Sequence, residues 1–119
     1  MSKIINSNFF NLENKTALVI GGAGYLGFEM SKALCSMGAK VIIASRDIKN
    51  FNHNMKKLKA KFKKKKQIKY LKIDISNTKS INLFYKNLKK ECNSKLDILV
   101  NCAWNGKKNT LESINNKDW

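Results

Sequence analysis

Apolar residues concentrate in four short runs along the chain, and the stretches between these runs repeat them at helical spacing. Continuous aliphatic runs are typical of strands buried in a parallel sheet, and these cover residues 16–20, 41–44, 68–73 and 96–100. Helices are predicted over the remaining stretches, at 25–37, at 48–64, from 77 onward and over 111–119. This alternation predicts an α/β fold in which right-handed crossovers join parallel strands.

Each of the first three predicted helices carries an apolar stripe that we expect to face the sheet. The stripes comprise Leu26, Met30, Ala33, Leu34 and Met37 in the first helix, Phe51, Met55, Leu58 and Phe62 in the second, and Ile81, Phe84, Leu88 and Cys92 in the third. Three apolar residues before the first strand are expected to pack under the sheet edge: Phe9, Phe10 and Leu12. Ser76 or Asn77 is predicted to cap the third helix.

A glycine-rich turn, residues 21–27, joins the first predicted strand to the first predicted helix. Gly21, Gly24 and Gly27 let the backbone turn tightly and leave main-chain N–H groups accessible. The N-terminus of the following helix adds a dipole that favours an anion. A strand, a glycine turn and a helix in this order predict a site for phosphate groups.

Lysine dominates the charge of the chain. The 24 basic and 8 acidic residues give a net charge of +16, and Arg46 is the only arginine. Because proteins that read nucleic-acid bases usually depend on arginine, we expect no specific nucleic-acid partner. A drift toward Lys, Asn and Ile in an AT-rich genome is one explanation of the charge. The alternative function is that of a basic protein whose lysine-rich face, residues 56–66, binds anionic surfaces.

The cellular setting is predicted from apolar runs and cysteines. No run approaches the roughly 18 residues that cross a bilayer, so no membrane partner is expected. Residues 2–15 lack the continuous apolar core of a signal peptide, which favours the cytoplasm. Cys35, Cys92 and Cys102 are widely spaced and predict reduced thiols. With a single histidine, His53, the chain is not expected to hold a metal ion.

Four stretches, in order along the chain, resemble the N-terminal half of the short-chain dehydrogenase/reductase family. They are the lead-in 10–19, the glycine turn 21–27, the pair Asp74–Ile75 after the third strand, and Asn101-Cys102-Ala103 after the fourth. The resemblance covers nearly the whole chain. It implies an α/β fold with a Rossmann-type, doubly wound parallel sheet, truncated after the fourth strand and ordered 3-2-1-4.

This sequence departs from the family pattern at four positions. Ile20 stands where the family usually has threonine, and Gly24 gives the glycine spacing of its extended branch. Cys102 and Trp104 replace the second asparagine and the glycine of its Asn-Asn-Ala-Gly motif. Trp104 either closes over the nicotinamide or substrate pocket or packs within its loop.

The resemblance implies a role for each matching position. Gly21, Gly24 and Gly27 would shape the turn, Tyr25 and Leu26 would present main chain to a pyrophosphate, Asp74 would accept from the adenine amino group, Ile75 would contact the adenine, and Asn101 and Ala103 would lie beside the adenosine ribose. Each assignment has a structural alternative. Gly27 would permit close helix–strand packing, Asp74 would cap the third helix, and Asn101 would close a turn at the strand end.

The choice between NADP and NAD depends on the end of the second strand. NAD enzymes use a carboxylate there for the ribose 2′-hydroxyl, and NADP enzymes use a cation for the 2′-phosphate. The deciding position by this resemblance is Ser45, which is neutral, and Arg46 follows it. A guanidinium suits a phosphate, so NADP is favoured over NAD. Asp47 is the alternative ribose ligand, unless it pairs with Arg46 or caps the second helix.

The family's catalytic serine and Tyr-x-x-x-Lys pair lie beyond the fourth strand. Tyr85 and Lys89 have that spacing, but they precede the fourth strand and are not expected to be catalytic. Residues 1–119 are therefore expected to be the N-terminal part of one NAD(P)-binding domain of an oxidoreductase, with the catalytic half absent and no activity or good stability alone. Substrate binding and a homo-oligomer belong to a full-length form. A non-catalytic dinucleotide-binding module is the alternative.

Overall fold

The computed structural model describes residues 7–58 and 65–104 of the chain. Its strands are β1 (Thr16–Ile20), β2 (Lys40–Ser45), β3 (Ile68–Lys72) and β4 (Ile98–Asn101), and its α-helices are α1 (Tyr25–Ser36), α2 (Ile48–Lys57) and α3 (Thr78–Glu91). Short 3₁₀ turns lie at Ser7–Phe10 and Lys65–Gln67. The four strands form one parallel sheet in the order β3-β2-β1-β4, which confirms the predicted fold. The helix predicted at 111–119 lies outside the described residues.

The register of the sheet brings the carboxyl ends of the strands to one edge. Ile20, the last residue of β1, is paired with Ala44 on one side and Asn101 on the other. In the next pair, Ser45 of β2 lies opposite Lys72 of β3. The connections that follow the strands therefore emerge side by side, where ligands of open parallel sheets bind.

The middle strands are covered on both faces, which explains their continuous apolar runs. On one face, Val19, Val41 and Ile43 of the sheet pack in one cluster with Phe28 and Cys35 of α1. Partly buried residues of α2 pack against the same cluster. The opposite face packs on α3 and has its own cluster of Leu18, Ile42, Ala44, Ile73, Phe84 and Cys92. The core thus consists of two apolar layers, one on each side of the sheet.

Helix α1 packs through a different face from the predicted one. Its buried residues are Gly27, Phe28, Ser31 and Cys35. Leu26, Met30 and Met37, which were expected in the core, are 60%, 37% and 48% exposed. The stripe of Gly27, Ser31 and Cys35 consists of small residues four apart, which let the helix approach the sheet closely. Ser31 satisfies its buried hydroxyl by donating to the Gly27 carbonyl at 2.8 Å.

Two further boundaries differ from the prediction. Helix α2 ends at Lys57 because Leu58 leaves helical geometry (ψ 110°) and packs against the core, so the predicted end at 64 is wrong. Strand β4 begins at Ile98, since Asp97 binds the Thr16 amide with its side chain at 2.8 Å.

The expected packing of the lead-in is only partly observed. Phe9 and Phe10 are 83% and 60% exposed, so the prediction that they pack under the sheet edge is wrong. Leu12 packs against the α1–α2 side of the core, and its N–H donates to the Met37 carbonyl at 2.8 Å. That contact attaches the lead-in to the end of α1 at Leu12, while the two phenylalanines before it stay exposed.

Candidate functional site

A cavity of about 680 Å³ opens at the carboxyl edge of the sheet. This volume lies within the roughly 300–1,000 Å³ range of small-molecule sites. Residues from the connections after all four strands line it. All eleven candidate binding residues are among them: Gly21, Gly24, Tyr25, Leu26, Gly27, Ser45, Arg46, Asp74, Ile75, Asn101 and Ala103. The structure thus brings every one of these residues to a single cleft.

Two glycines of the turn are required by the fold itself. Gly21 has φ +77°, and a Cβ there would lie 2.7 Å from the Ala103 nitrogen of the loop after β4. A Cβ on Gly27 would collide with the Gly21 carbonyl oxygen and lie 2.8 Å from the Gly22 Cα. Gly21 therefore lets the loop after β4 approach the turn, and Gly27 lets α1 approach it. The packing alternative for Gly27 is observed in the structure.

Gly24 differs from these two because the described residues around it leave room for a side chain. Of these residues, a Cβ there would meet only the Gly21 carbonyl oxygen, at 3.4 Å, and Gly24 has an ordinary extended backbone (φ −74°, ψ 171°). It is the N-cap residue of α1, and no side chain caps that helix. The first N–H groups of a helix have no partners within the helix. In α1 they belong to residues that line the cavity.

The connection between β2 and α2 presents Arg46 to the cleft. Arg46 is exposed and lines the cavity between Ser45 and Asp47. Asp47 is the N-cap of α2, and its Oδ1 accepts from the Lys49 amide at 2.8 Å. Of the alternatives for Asp47, helix capping is the one the structure shows. One carboxylate oxygen is thereby committed to the helix.

Asp74 forms a tight turn after β3 and carries a negative charge toward the cleft. Its Oδ1 accepts from the Ser76 hydroxyl at 2.6 Å and from the Ser76 amide at 3.0 Å. These hydrogen bonds lower the pKa of the Asp74 carboxyl, and the positive charges of Arg46 and Lys72 lower it further. The alternative role as cap of α3 is wrong, since Asn77 caps that helix by accepting from Ser80.

The loop after β4 closes the other side of the cleft. Asn101 Oδ1 accepts from the Ala103 amide at 3.3 Å, which is the strand-end turn expected as its structural alternative. Cys102 donates its N–H to the Ile20 carbonyl at 2.8 Å, so the loop stays attached to β1. Trp104 lines the cavity and is 71% exposed, which favours a place at the pocket over packing within its loop.

Several cavity residues were not singled out from the sequence. They include Ala23, Met30, Asn50 and Ser76. Ser76 carries a readable signal, because an Asp followed two residues later by Ser is typical of a side chain that closes a turn. Met30 and Asn50 follow from the orientation of α1 and α2, and Ala23 belongs to the glycine turn itself. Asn54 of α2 donates from Nδ2 to the Ala23 carbonyl at 2.9 Å and so ties α2 to the glycine turn.

Tyr85 and Lys89 lie on α3, away from the cleft. Tyr85 is 61% exposed, and neither residue lines the cavity.

In the described ranges 7–58 and 65–104, no helix has the length and apolar character to cross a membrane. Across these same ranges, no three His, Cys, Asp or Glu side chains are grouped to hold a metal ion.

Comparisons with known proteins agree with this architecture. Residues 15–119 match the profile of the short chain dehydrogenase family. The short-chain dehydrogenase TIC 32 A, chloroplastic, of Brassica napus is 35% identical over 88 residues, which cover 74% of this chain and 27% of that protein.

Solved structures give the same result. The crystal structure of gox2181 superposes with a TM-score of 0.73 at 27% identity, over 92% of this chain and 42% of that one. The Pseudomonas aeruginosa RhlG/NADP active-site complex superposes with a TM-score of 0.71 at 28% identity, over 93% of this chain and 41% of that one. The chain spans less than half the length of each of these relatives. By its sequence and its fold alike, the chain belongs to the short-chain dehydrogenase family.

Proposed function

We propose that this chain is the cofactor-binding part of an NAD(P)-dependent oxidoreductase, which moves a hydride between a nicotinamide and a carbonyl or alcohol substrate. The observation that carries the proposal is the convergence of eleven candidate residues, taken from four separate connections, on one cleft. Membership of the short-chain dehydrogenase family supports it, as does the similarity to RhlG, whose structure is described as an NADP complex.

The pyrophosphate of the dinucleotide would lie against the glycine turn. Gly24 supports this placement because no described residue excludes a side chain there, whereas a ligand that approaches the backbone would exclude one. The N-cap residue of α1, Gly24, makes no side-chain cap, so the first N–H groups of the helix and the positive end of its dipole would serve the phosphates at the same place. Main-chain groups of Tyr25 and Leu26 would face the phosphates.

The adenosine would lie across the ends of β1, β2 and β3. The ionised Asp74 would accept a hydrogen bond from the adenine amino group, with Ile75 against the ring. Asn101 and Ala103 would lie beside the ribose, on the other side of the glycine turn. The proposed contacts with the dinucleotide thus follow the order of the strands in the sheet, β3-β2-β1-β4.

NADP is the proposed cofactor in preference to NAD. Arg46 lines the cleft, and its charge helps to lower the pKa of the Asp74 carboxyl, which supports a cation near the proposed adenosine end. A guanidinium binds a phosphate through two parallel hydrogen bonds. Asp47 uses one carboxylate oxygen to cap α2, which makes this residue less suitable as the ligand of a free 2′-hydroxyl.

Titration of the purified protein with NADP⁺ and with NAD⁺ tests the proposal. We expect saturable binding of both, tighter for NADP⁺. The variant Arg46→Ala should weaken NADP⁺ binding about 10- to 100-fold, as loss of one charged hydrogen-bonding group does, and leave NAD⁺ binding nearly unchanged. Lys49→Ala is the matched control, because Lys49 is a neighbouring exposed cation that does not line the cavity. No binding of either dinucleotide overturns the proposed function, and tighter binding of NAD⁺ overturns the choice of NADP.

The proposed location is the cytoplasm, on the reduced thiols expected of three widely spaced cysteines. The Brassica napus relative is described as chloroplastic, so an organelle is the competing location. Fluorescence microscopy of the tagged protein in its own cells distinguishes the two.

A further inference from the structure

Tyr70 of β3 contacts both sides of the connection that carries Arg46. Its hydroxyl donates to the Ser45 carbonyl at 2.9 Å, at the end of β2. Its ring lies 5.2 Å from the ring of Phe51 in α2, centroid to centroid, with an interplanar angle of 35°. One side chain therefore holds the residue that precedes Arg46 and the helix that follows it.

The bond to Ser45 acts on Arg46 through a shared peptide group. The Ser45 carbonyl and the Arg46 N–H belong to one planar unit, and that oxygen also accepts from the Ile73 amide at 2.9 Å. Tyr70 adds a second donor on the same oxygen, and the two donors together restrict the direction in which Arg46 leaves the strand. Ser45 Oγ lies 3.3 Å from the Asp47 carbonyl oxygen, to which it donates, and Asp47 caps α2. Arg46 is thus an exposed side chain between two residues that are each held by hydrogen bonds.

We infer that Tyr70 is a positioning residue that sets the preference for a 2′-phosphorylated dinucleotide through Arg46. The inference rests on the proposed function. A main chain that holds Arg46 in place before the ligand arrives avoids part of the ordering cost on binding. That gain belongs to NADP alone, since NAD has no 2′-phosphate for Arg46 to contact. Tyr70 itself does not line the cavity, so we expect it to act through Arg46.

The variant Tyr70→Phe tests this inference, because it removes the hydroxyl and keeps the ring against Phe51. We expect the Kd for NADP⁺ to rise about three- to tenfold, as loss of one hydrogen bond does, and the Kd for NAD⁺ to change less than about twofold. Tyr85→Phe is the matched control, because it makes the same chemical change on an exposed residue of α3 and should alter neither Kd.

A double-mutant cycle with Arg46→Ala separates positioning from general stability. If Tyr70 acts through Arg46, then Tyr70→Phe in the Arg46→Ala background should cause no further loss of NADP⁺ affinity. In the single variant, amide hydrogen exchange over residues 45–47 should also be faster without cofactor, while α3 keeps its protection.

The outcomes distinguish this inference from the function on which it rests. An equal loss of NADP⁺ and NAD⁺ affinity, an unchanged ratio of the two, or additive effects in the double variant would each overturn the role of Tyr70 and leave the dinucleotide site standing. Failure of the wild-type protein to bind either dinucleotide would overturn both.

Discussion

Asn54 Nδ2 donates to the Ala23 carbonyl at 2.9 Å and so joins helix α2 to the glycine turn. The two residues are far apart in sequence, and each belongs to a segment that lines the cleft. We expect the bond to hold the adenosine side and the pyrophosphate side of the site at a fixed separation, because it directly connects the two segments.

Replacing Asn54 by Ala should weaken NADP⁺ and NAD⁺ binding together. Loss of one half-buried hydrogen bond corresponds to roughly 0.5–1.5 kcal/mol, or about two- to tenfold in Kd. Calorimetric titration measures both constants. Asn52→Ala, on the exposed side of the same helix, is the control and should change neither. Selective loss of NADP⁺ binding would contradict the prediction that Asn54 supports the binding of both dinucleotides. It would indicate that Asn54, like Arg46, acts on the 2′-phosphate.

Gly24 and Gly27 should respond differently to the same change to alanine. Gly27→Ala puts a methyl group against the backbone of Gly21 and Gly22, an overpacking that costs about 1–3 kcal/mol and should lower the melting temperature. Gly24→Ala fits the fold, so the melting temperature should hold while dinucleotide affinity falls. Thermal melts and titrations of the two variants provide the comparison. Undiminished dinucleotide binding by Gly24→Ala would argue against a pyrophosphate at this position.

The acid sensitivity of Asp74 should depend on Ser76. The hydroxyl and amide of Ser76 lower the pKa of the Asp74 carboxyl below its unfolded value, so the stabilisation is complete above that unfolded value and is lost as the pH falls through the folded one. Ser76→Ala removes the hydroxyl, should raise the pKa of Asp74 and should shift the acid loss of dinucleotide binding to higher pH. NMR titration of the Asp74 carboxyl measures the pKa itself.

Ser80→Ala is the comparison for this shift. Ser80 Oγ accepts from the Asp74 main-chain amide at 2.8 Å and makes no bond to the carboxylate. The variant Ser80→Ala should therefore leave the pKa of the Asp74 carboxyl unchanged. Equal shifts in the two variants would show that the turn geometry, and not the hydroxyl of Ser76, controls the charge.

The 119-residue polypeptide is expected to bind NADPH without oxidising it. None of the lysines in the described part of the chain lines the cavity, and Tyr85 lies on another surface, so ranges 7–58 and 65–104 supply this cleft with no tyrosine–lysine pair for proton transfer. Absorbance of NADPH in the presence of a panel of aldehydes and ketones measures turnover. NADPH consumption that disappears in Tyr85→Phe would show that this pair is catalytic after all.

The sheet was predictable because its two central strands are buried on both faces. That burial requires continuous runs such as Val41-Ile42-Ile43-Ala44, which few other structures produce. The glycine turn was predictable because it needs glycines, since Gly21 has a positive φ and Gly27 lies against the backbone of the turn. Once the strands are aligned, the residues that follow them come together in one cleft without further information.

The packing of α1 was not predictable from periodicity. Leu26 and Met30 have helical spacing, but the sheet selects the face with Gly27 and Ser31, because only small residues fit so near the glycine turn. That preference depends on a contact in three dimensions rather than on hydrophobicity. The bond from Tyr70 to Ser45 is hidden in the same way, since it depends on the register between β2 and β3.

Ile20 lies opposite both Ala44 and Asn101, so β1 sets a common origin for the three connections that follow these strands. Deleting one residue from β1 would draw the glycine turn back by about 3.3 Å and turn its flanking side chains to the opposite layer. No adjustment of a loop would restore the match with β2 and β4. Among relatives of this protein, insertions and deletions should therefore collect at the outer ends of the helices, while the spacing from Thr16 to Gly21 stays constant.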